Sequence, residues 1–249
     1  MRYWLKYFYL RQTLLILLII GAGADLWAQS GGLLFKNITI EEGLSQNSVV
    51  DIATDHTGFL WMATQDGLNR YDGKNFMHFD IRFDDITEPK RTRLGRIMAN
   101  GNDLWMIANG GRLLRLDLLT YQVMEIDKIG KDSLKLPPLS HFVVDSKQRL
   151  WLSTWSDGLF RVDSSLAMVE HFTADDTGKI RLNSNQLQHL YVDGKDQVWV
   201  LSDNGINVIQ EDQVKYFLPG IHTASMDIDH AGNVWVGTLG SGLFVKNVT

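Results

Sequence analysis

Beyond residue 30, the chain alternates short apolar segments with polar residues that favour turns. In the first complete stretch, this pattern predicts four β segments at Val49–Thr54, Phe59–Ala63, Leu68–Tyr71 and Asn75–Phe79. The breaks between them read Asp-His-Thr-Gly, Gln-Asp-Gly and Asp-Gly-Lys, which are typical of tight turns. No later stretch shows a long apolar period of 3.6 residues, so almost no helix is expected.

A tryptophan recurs in one sequence frame, D-x-x-G-x-φ-W-φ-x-T-x-x-G-φ, where φ is apolar. The clearest copies begin at Asp55 and Asp229, whereas the second copy has Ala99 where the others carry Asp. Repetition at this spacing indicates a repeat architecture. The five tryptophans, which lie 44, 46, 48 and 36 residues apart, are Trp61, Trp105, Trp151, Trp199 and Trp235.

This repeat predicts an all-β fold, a β-propeller of four-stranded antiparallel blades. One such meander cannot bury both of its faces, whereas units arranged around an axis can. The repeated Trp is expected to pack between neighbouring blades, and the Asp before it to cap a turn. Trp155 stands outside the frame and is therefore expected at the surface. The five expected blades span residues 45–80, 92–127, 139–173, 186–218 and 223–249.

The first 28 residues have the order of a secretory signal peptide. Three basic residues precede an uncharged run from Gln12 to Ala24 that is rich in Leu and Ile. Small residues at Ala24 and Ala28 offer cleavage points. We therefore expect a signal peptide at 1–28, a propeller domain at 29–249 and a periplasmic location. An uncleaved signal anchor is the alternative.

Composition narrows the classes of partner and chemistry. Loss of residues 1–28 takes away three basic residues and one acidic residue, so the net charge moves from −5 to −7. No basic tract is left, and a nucleic-acid partner is not expected. The chain contains no cysteine, which excludes disulfides, thiol nucleophiles and Cys-based zinc sites.

The segment Phe35–Ile52, together with Asp55–Trp61 and Asp66–Phe76, closely resembles the start of two-component regulator propellers. That family forms the periplasmic sensor regions of hybrid two-component histidine kinases, which are anchored in the inner membrane. The resemblance extends over residues 33–249 and implies a non-catalytic sensor of oligosaccharides released from glycans. In the family, two propellers of seven blades precede a β-sandwich module, a membrane helix and the kinase.

The chain departs from that plan because it has five units and ends at Thr249 without kinase sequence. We expect either a truncated receptor, whose partners include further blades or sensor domains, or a small closed ring. In the ring, a strand at Phe35–Ile40 would complete the last blade. An open arc with an exposed edge is the alternative, and a homodimer is a further option.

Candidate ligand contacts fall at two positions counted back from the repeat Asp. Asn47 and Asn185 stand eight residues before it, in similar Leu-Ser-Gln-Asn and Leu-Asn-Ser-Asn contexts. Together with Trp155, polar residues in these registers suit sugar hydroxyls, which need oriented hydrogen bonds and a stacking face. Alternatively, the Asn side chains cap turns and the polar inner residues bond to one another. Four residues before the Asp position come Asp51, Gly95, His141, His189 and Ser225.

A catalytic interpretation competes with the sensor. His141 and His189 could bind a divalent metal or act as an acid–base pair, as in a propeller lyase or hydrolase. The favoured expectation is a binding propeller without catalytic residues, metal or cofactor. Its ligand is an oligosaccharide or another small polar molecule, contacted by Asn47, Asp51, His141, Trp155, Asn185 and His189.

The signal-peptide interpretation is testable on the exported protein. We expect N-terminal sequencing of the periplasmic form to begin at Asp25 or Gln29, because cleavage follows Ala24 or Ala28. Recovery of the intact N-terminus from the cytoplasmic fraction would contradict the prediction.

Overall fold

The computed structural model describes residues 35–79, 81 and 93–247, so the expected signal peptide lies outside the described part. The chain divides into two compact units, residues 1–38 and residues 39–249. In the first unit, residues 35–38 have no regular secondary structure. All of the described strands belong to the second unit.

Five antiparallel sheets follow one another along the second unit, each with its strands in chain order. The first four have four strands and the fifth has three. They are β1 (Val49–Thr54), β2 (Leu60–Thr64), β3 (Gly67–Tyr71) and β4 (Phe76–Phe79); β5 (Leu94–Asn100), β6 (Asp103–Ala108), β7 (Arg112–Asp117) and β8 (Val123–Ile126); β11 (Leu139–Val144), β12 (Leu150–Thr154), β13 (Leu159–Val162) and β14 (Val169–Phe172); β15 (Leu187–Val192), β16 (Val198–Ser202), β17 (Gly205–Gln210) and β18 (Gln213–Phe217); and β19 (Thr223–Ile228), β20 (Val234–Thr238) and β21 (Leu243–Lys246).

The remaining elements are short. A hairpin of β9 (Lys128–Ile129) and β10 (Leu134–Lys135), which the sequence pattern did not predict, connects the second and third blades. Single 3-10 turns at Ile40–Glu42 and Asn109–Gly111 are the only helical elements among the described residues. The predicted near-absence of helix is therefore confirmed there. No helix in this part of the chain is long and apolar enough to cross a bilayer.

The prediction of a strand at Phe35–Ile40 is wrong, because residues 35–39 have no regular secondary structure and Ile40 begins a 3-10 turn. Thr39 instead caps the 3-10 turn: its hydroxyl accepts a hydrogen bond from the Glu41 amide, and the Glu42 carboxylate accepts one from the Thr39 amide. This reciprocal capping favours a turn over an extended strand. In the described residues, the fifth sheet accordingly has no fourth strand.

The repeated tryptophans lie near the start of the second strand of each blade, and the first four pack between blades. Trp61, for example, packs with Ile97, Leu104 and Met106 of the second blade. The first four tryptophans are 7% exposed or less, whereas Trp235 of the fifth blade is 39% exposed. The predicted role between blades is thus confirmed for four copies, whereas no blade among the described residues packs against the ring of Trp235.

The repeat Asp links the turn to the tryptophan. Asp55 Oδ1 accepts hydrogen bonds from the amides of Thr57 and Phe59, at 2.8 and 3.1 Å, which confirms the predicted turn cap. Its Oδ2 accepts a 2.7 Å bond from the indole nitrogen of Trp61, which the sequence did not predict. The same indole bond recurs at 2.8, 3.0 and 3.0 Å in the pairs Asp145–Trp151, Asp193–Trp199 and Asp229–Trp235.

The second blade lacks this bond because its turn is one residue shorter. Four residues separate the paired Ala99 and Leu104, whereas five separate Thr54 and Leu60 in the first blade. Asn100, the first residue after Ala99, stands where Asp55 follows Thr54 in the first blade. The Arg115 guanidinium lies instead beside Trp105, 5.9 Å from the ring centroid.

Truncation of a framed tryptophan is expected to cost far more than truncation of Trp155. Trp199→Ala or Trp105→Ala should lower the free energy of unfolding by about 3–5 kcal/mol, because each ring fills a blade interface. Trp155→Ala should have a much smaller effect, because that side chain is 52% exposed. Denaturant unfolding measures both, and equal losses would contradict the assignment.

Candidate functional site

The first strand of each blade is the inner one, since β1, β5, β11, β15 and β19 contact one another in that order. Within these strands, one register carries a series of polar side chains. In the second to fifth blades, the next residue along the strand belongs to the apolar core between blades. This series, here called the axial row, consists of Asp51, Arg96, His141, His189 and Ser225.

Arg96 replaces Gly95 as the member from the second blade. Gly95 stands four residues before the repeat Asp position in the sequence. Because the turn of the second blade is one residue shorter, the structurally corresponding residue is one position later, at Arg96. Strand pairing supports the correction, because Ile97 faces Met106 as Ile52 faces Met62 and Phe142 faces Leu152. The residue before Ile97 therefore corresponds to Asp51 and His141. A charged group is thus present where the sequence interpretation had none.

Asp51 and Arg96 join the first two blades. Asp51 Oδ2 accepts a 2.9 Å hydrogen bond from the Ile97 amide and lies 3.3 Å from a terminal nitrogen of Arg96. Both side chains are partly exposed. The Arg96 Nε, in contrast, is buried and has no hydrogen-bond partner among the described residues.

The two imidazoles lie side by side, with a distance of 4.1 Å between the ring centroids of His141 and His189. His141 is buried, and in the part of the chain that the structure describes its Nδ1 has no hydrogen-bond partner. Burial, then His189 and Arg96, lowers the pKa of His141 to about 2. Burial and Arg96 also lower the pKa of His189, against the opposing effect of Asp51. Both rings are therefore neutral at pH 7, and each can donate one hydrogen bond and accept another.

The two predicted asparagines hold neighbouring loops. Asn47 Oδ1 accepts a hydrogen bond from the Ile40 amide at 3.0 Å, and Asn185 Oδ1 accepts one from the Ala174 amide at 2.7 Å. These bonds correspond to the turn-capping alternative. Among the described residues, no hydrogen bond joins either side chain to the axial row.

Register nevertheless places Trp155 and both asparagines at one edge of the blades. Thr154 pairs with Leu139, so Trp155 follows β12 at the edge where the inner strand β11 begins. Asn47 and Asn185 lie two residues before β1 and β15, at the same edge of their own blades.

Two buried asparagines were missed. Asn69 Oδ1 accepts from the Ser45 amide at 2.9 Å, and Asn207 Oδ1 accepts from the Asn183 amide at 2.8 Å. Both fix the segment that leads into an inner strand. In the first and fourth units, an Asn on the third strand occurs together with a Leu-x-x-Asn sequence before the first strand. This co-occurrence is the sequence signal that could have identified the two buried asparagines.

Few described residues near His141 and His189 could act as metal ligands. In the described ranges, no group of three or more His, Cys, Asp or Glu residues is arranged to hold a metal ion. His141 and His189 form a pair to which the described structure adds no third ligand.

Residues 43–66 match the sequence profile of the two component regulator propeller. The chain carries the two-component regulator propeller repeat. The matched stretch contains β1, the first turn and the first Asp–Trp pair.

Comparison with known proteins shows similarity in sequence to a histidine kinase and similarity in fold to two solved structures. Histidine kinase P4 of Formosa agariphila is 44% identical over 63 residues, which are 25% of this chain and 5% of the kinase. The extracellular domain of the hybrid two component system BT3049 from B. thetaiotaomicron matches with a TM-score of 0.69 and 23% identity, over 86% of this chain and 30% of that one. PorZ of the type-IX secretion system of Porphyromonas gingivalis matches at 0.59 and 16%, over 80% and 32%.

The solved structures confirm the predicted β-propeller fold. The chain spans about a third of the length of these two solved structures.

The buried His141 predicts acid sensitivity. The unfolded chain binds a proton there near pH 6.5, but the folded chain binds it only near pH 2. The free energy of unfolding should therefore fall as the pH drops below about 6.5, by up to about 1.4 kcal/mol per pH unit. Unfolding between pH 6.5 and 4.5 measures this slope, to which His189 also contributes.

His141→Gln should reduce the slope, whatever it does to stability at pH 7. His230→Gln, at an exposed turn position, serves as the control and should leave the slope unchanged. An unaltered slope in His141→Gln would show that this imidazole is not the group that titrates.

Proposed function

We propose that this chain is a non-catalytic, periplasmic ligand-binding propeller of a two-component signalling receptor, and that its ligand is an oligosaccharide released from a glycan. The regulator-propeller match and the likeness to a histidine kinase support a signalling role. The likeness to an extracellular domain supports placement outside the cytoplasm. The proposal concerns the part of such a receptor that meets the ligand.

The unpartnered polar atoms of the axial row are the observation that carries the proposal. Arg96 Nε is a hydrogen-bond donor, and Nδ1 of the neutral His141 can donate or accept. A buried polar atom without a partner costs about 1–3 kcal/mol. A ligand hydroxyl, which both donates and accepts, would recover part of this cost if it reached these atoms.

The side chains at this edge of the blades favour a sugar as the ligand over a purely apolar molecule. Trp155 presents a half-exposed ring that can stack on the apolar face of a pyranose. Asn47 and Asn185 sit at the same edge, where their amides can supply further hydrogen bonds. We therefore keep Asn47, Asp51, His141, Trp155, Asn185 and His189 as proposed contacts and add Arg96.

Titration of the purified protein with a panel of glycan fragments tests the proposal. We expect binding detectable by calorimetry and by a change in tryptophan fluorescence that Trp155→Phe diminishes. The combined variant His141→Ala, His189→Ala and Asn185→Ala should bind at least about tenfold more weakly, because each lost hydrogen bond contributes roughly 0.5–1.5 kcal/mol.

The matched control carries His56→Ala and His230→Ala, whose side chains lie in exposed turns away from the axial row. Its affinity should equal that of the unchanged protein. If binding survives the combined variant while circular dichroism shows an intact fold, the axial row is not the site.

The catalytic alternative has one observation in its favour, the 4.1 Å approach of the two imidazoles. Such a pair can divide acid and base roles or offer two metal ligands. The same fragment panel distinguishes the two functions when it is incubated with and without divalent cations. Metal-dependent product formation would support a lyase or hydrolase and overturn the sensor proposal.

A further inference from the structure

A second set of equivalent residues lies at the edge of the blades, outside the axial row. In each blade, the residue that follows the second strand stands beside the start of the inner strand. Its amide donates to the residue just before that strand, for example from Trp155 to the Pro138 carbonyl at 3.4 Å and from Asp203 to the Gln186 carbonyl at 3.3 Å. We call this set the rim row, and it consists of Gln65, Asn109, Trp155, Asp203 and Leu239.

Two buried polar atoms lie without a partner at the border between the fourth and fifth blades. They are Asp203 Oδ1 and His222 Nε2, and no described residue forms a hydrogen bond with either atom. Asp203 follows Ser202, and His222 precedes Thr223. The Ser202 amide donates to the Thr223 hydroxyl at 3.1 Å, and that hydroxyl donates back to the Ser202 carbonyl at 3.0 Å. This bonded pair holds Asp203 and His222 at one place on the rim.

The loops that carry these two residues are fixed by Asn204. Its side chain donates to the Asn183 carbonyl at 3.0 Å and accepts from the Gly220 amide at 3.0 Å. The Asn183 side chain in turn donates to the Asn204 carbonyl at 2.8 Å. These bonds join the turn after β16 to the segments that lead into β15 and β19. Groups held rigidly in this way bind a ligand with little further loss of conformational entropy.

Trp155 belongs to the same continuous part of the rim. It is the counterpart of Asp203 in the third blade, and the third and fourth blades are neighbours. In the turn that begins at Trp155, the Gly158 amide donates to the Asn185 carbonyl of the fourth blade at 3.1 Å. The rim of the third to fifth blades therefore offers a half-exposed indole, a carboxylate and an imidazole on joined loops.

The rim row and the axial row lie at different depths. Gln186, which bonds to the amide of Asp203, stands three residues before His189. Pro138, which bonds to the amide of Trp155, likewise stands three residues before His141. Three residues of an extended strand span about 10 Å. A ligand that bonds to both rows must bridge this separation, which suits two linked sugar rings better than one.

The unpartnered atoms of the rim are suited to hydroxyl groups. A carboxylate only accepts hydrogen bonds, and a neutral imidazole nitrogen donates or accepts according to its tautomer. Sugar hydroxyls can do both. A ring with its own carboxylate or sulfate would bring a second negative charge toward Asp203, and like charges at an interface oppose binding.

We propose that Trp155, Asp203 and His222 form a specificity-determining subsite for one uncharged sugar ring, and that the axial row binds the adjoining ring. The ligand accordingly has at least two rings, and the one at the rim is neutral. This inference rests on the proposed function and adds Asp203 and His222 to the contacts. Trp155 stacks on the ring, and the other two side chains bond to its hydroxyls.

Stability measurements separate a binding role from a structural one. Asp203→Ala and His222→Ala should keep the circular dichroism spectrum of the unchanged protein. They should unfold at the same or a higher denaturant concentration, because the polar atoms that they remove are buried without a partner. Destabilisation by both variants would show that the two side chains support the fold, and would contradict the subsite.

Calorimetric titration with matched sugars tests the binding role. The probes are glucose, galactose, mannose and xylose, the α- and β-linked homodisaccharides of each, and digalacturonate. We expect one neutral disaccharide to bind at least about tenfold more tightly than its own monosaccharide, because it bonds to both rows. Asp203→Ala and His222→Ala should each weaken disaccharide binding by about three- to tenfold and leave monosaccharide binding unchanged. Asp203→Asn, which keeps an acceptor, should restore part of the lost affinity.

The matched controls are Asp132→Ala, in the β9–β10 hairpin, and His230→Ala, whose side chains are exposed away from the rim. Their affinities should equal that of the unchanged protein.

The remaining outcomes distinguish this subsite from the proposed function. Rim variants that bind the disaccharide normally, while the combined variant of His141, His189 and Asn185 loses it, would leave the axial row as the site and refute the subsite. Equal affinity for a disaccharide and its monosaccharide, or a preference for digalacturonate, would also refute it. If the unchanged protein binds no sugar at all, the sensor proposal itself fails, and the subsite fails with it.

Discussion

The carboxylate that joins a turn to a tryptophan is the interaction on which this fold depends. One oxygen of the repeat Asp accepts hydrogen bonds from amide groups of the turn, and the other accepts one from the indole nitrogen. The turn between the first two strands and the orientation of the largest side chain in the blade interface are thereby fixed together. Without the bond, a buried indole N–H would be left unpaired, at a cost comparable to a lost hydrogen bond. Repetition of this unit lets successive blades stack in the same way.

Most of the fold could be predicted from sequence because its signals are local. Turn residues, alternating apolar positions and the tryptophan frame each reflect short-range geometry, and the strands from Val49 to Phe79 fall within one residue of expectation. The errors arose at short local features that a periodic pattern does not report. The Phe35–Ile40 segment has β-like composition, but the Thr39 capping box makes a turn of its end. The β9–β10 hairpin is only two residues per strand, too short for a periodic signal.

The candidate site shows where counting along a chain fails. Asp51, His141 and His189 were predicted together because their blades share one turn length, and the structure aligns them. Arg96 was missed because a single residue is absent from the turn of the second blade. The charge of Arg96 contributes to the lowered pKa of both imidazoles. Burial, the larger cause, is also a property that no sequence spacing reports.

The separation of the axial row from the interblade core has an evolutionary consequence. Each blade contributes one side chain to the row, while neighbouring positions of the same strand supply packing. A substitution at one row position therefore alters the inner surface while the apolar core between the blades keeps its side chains. A lineage can explore new recognition properties blade by blade, and the rest of the scaffold keeps its stability while the inner surface diverges.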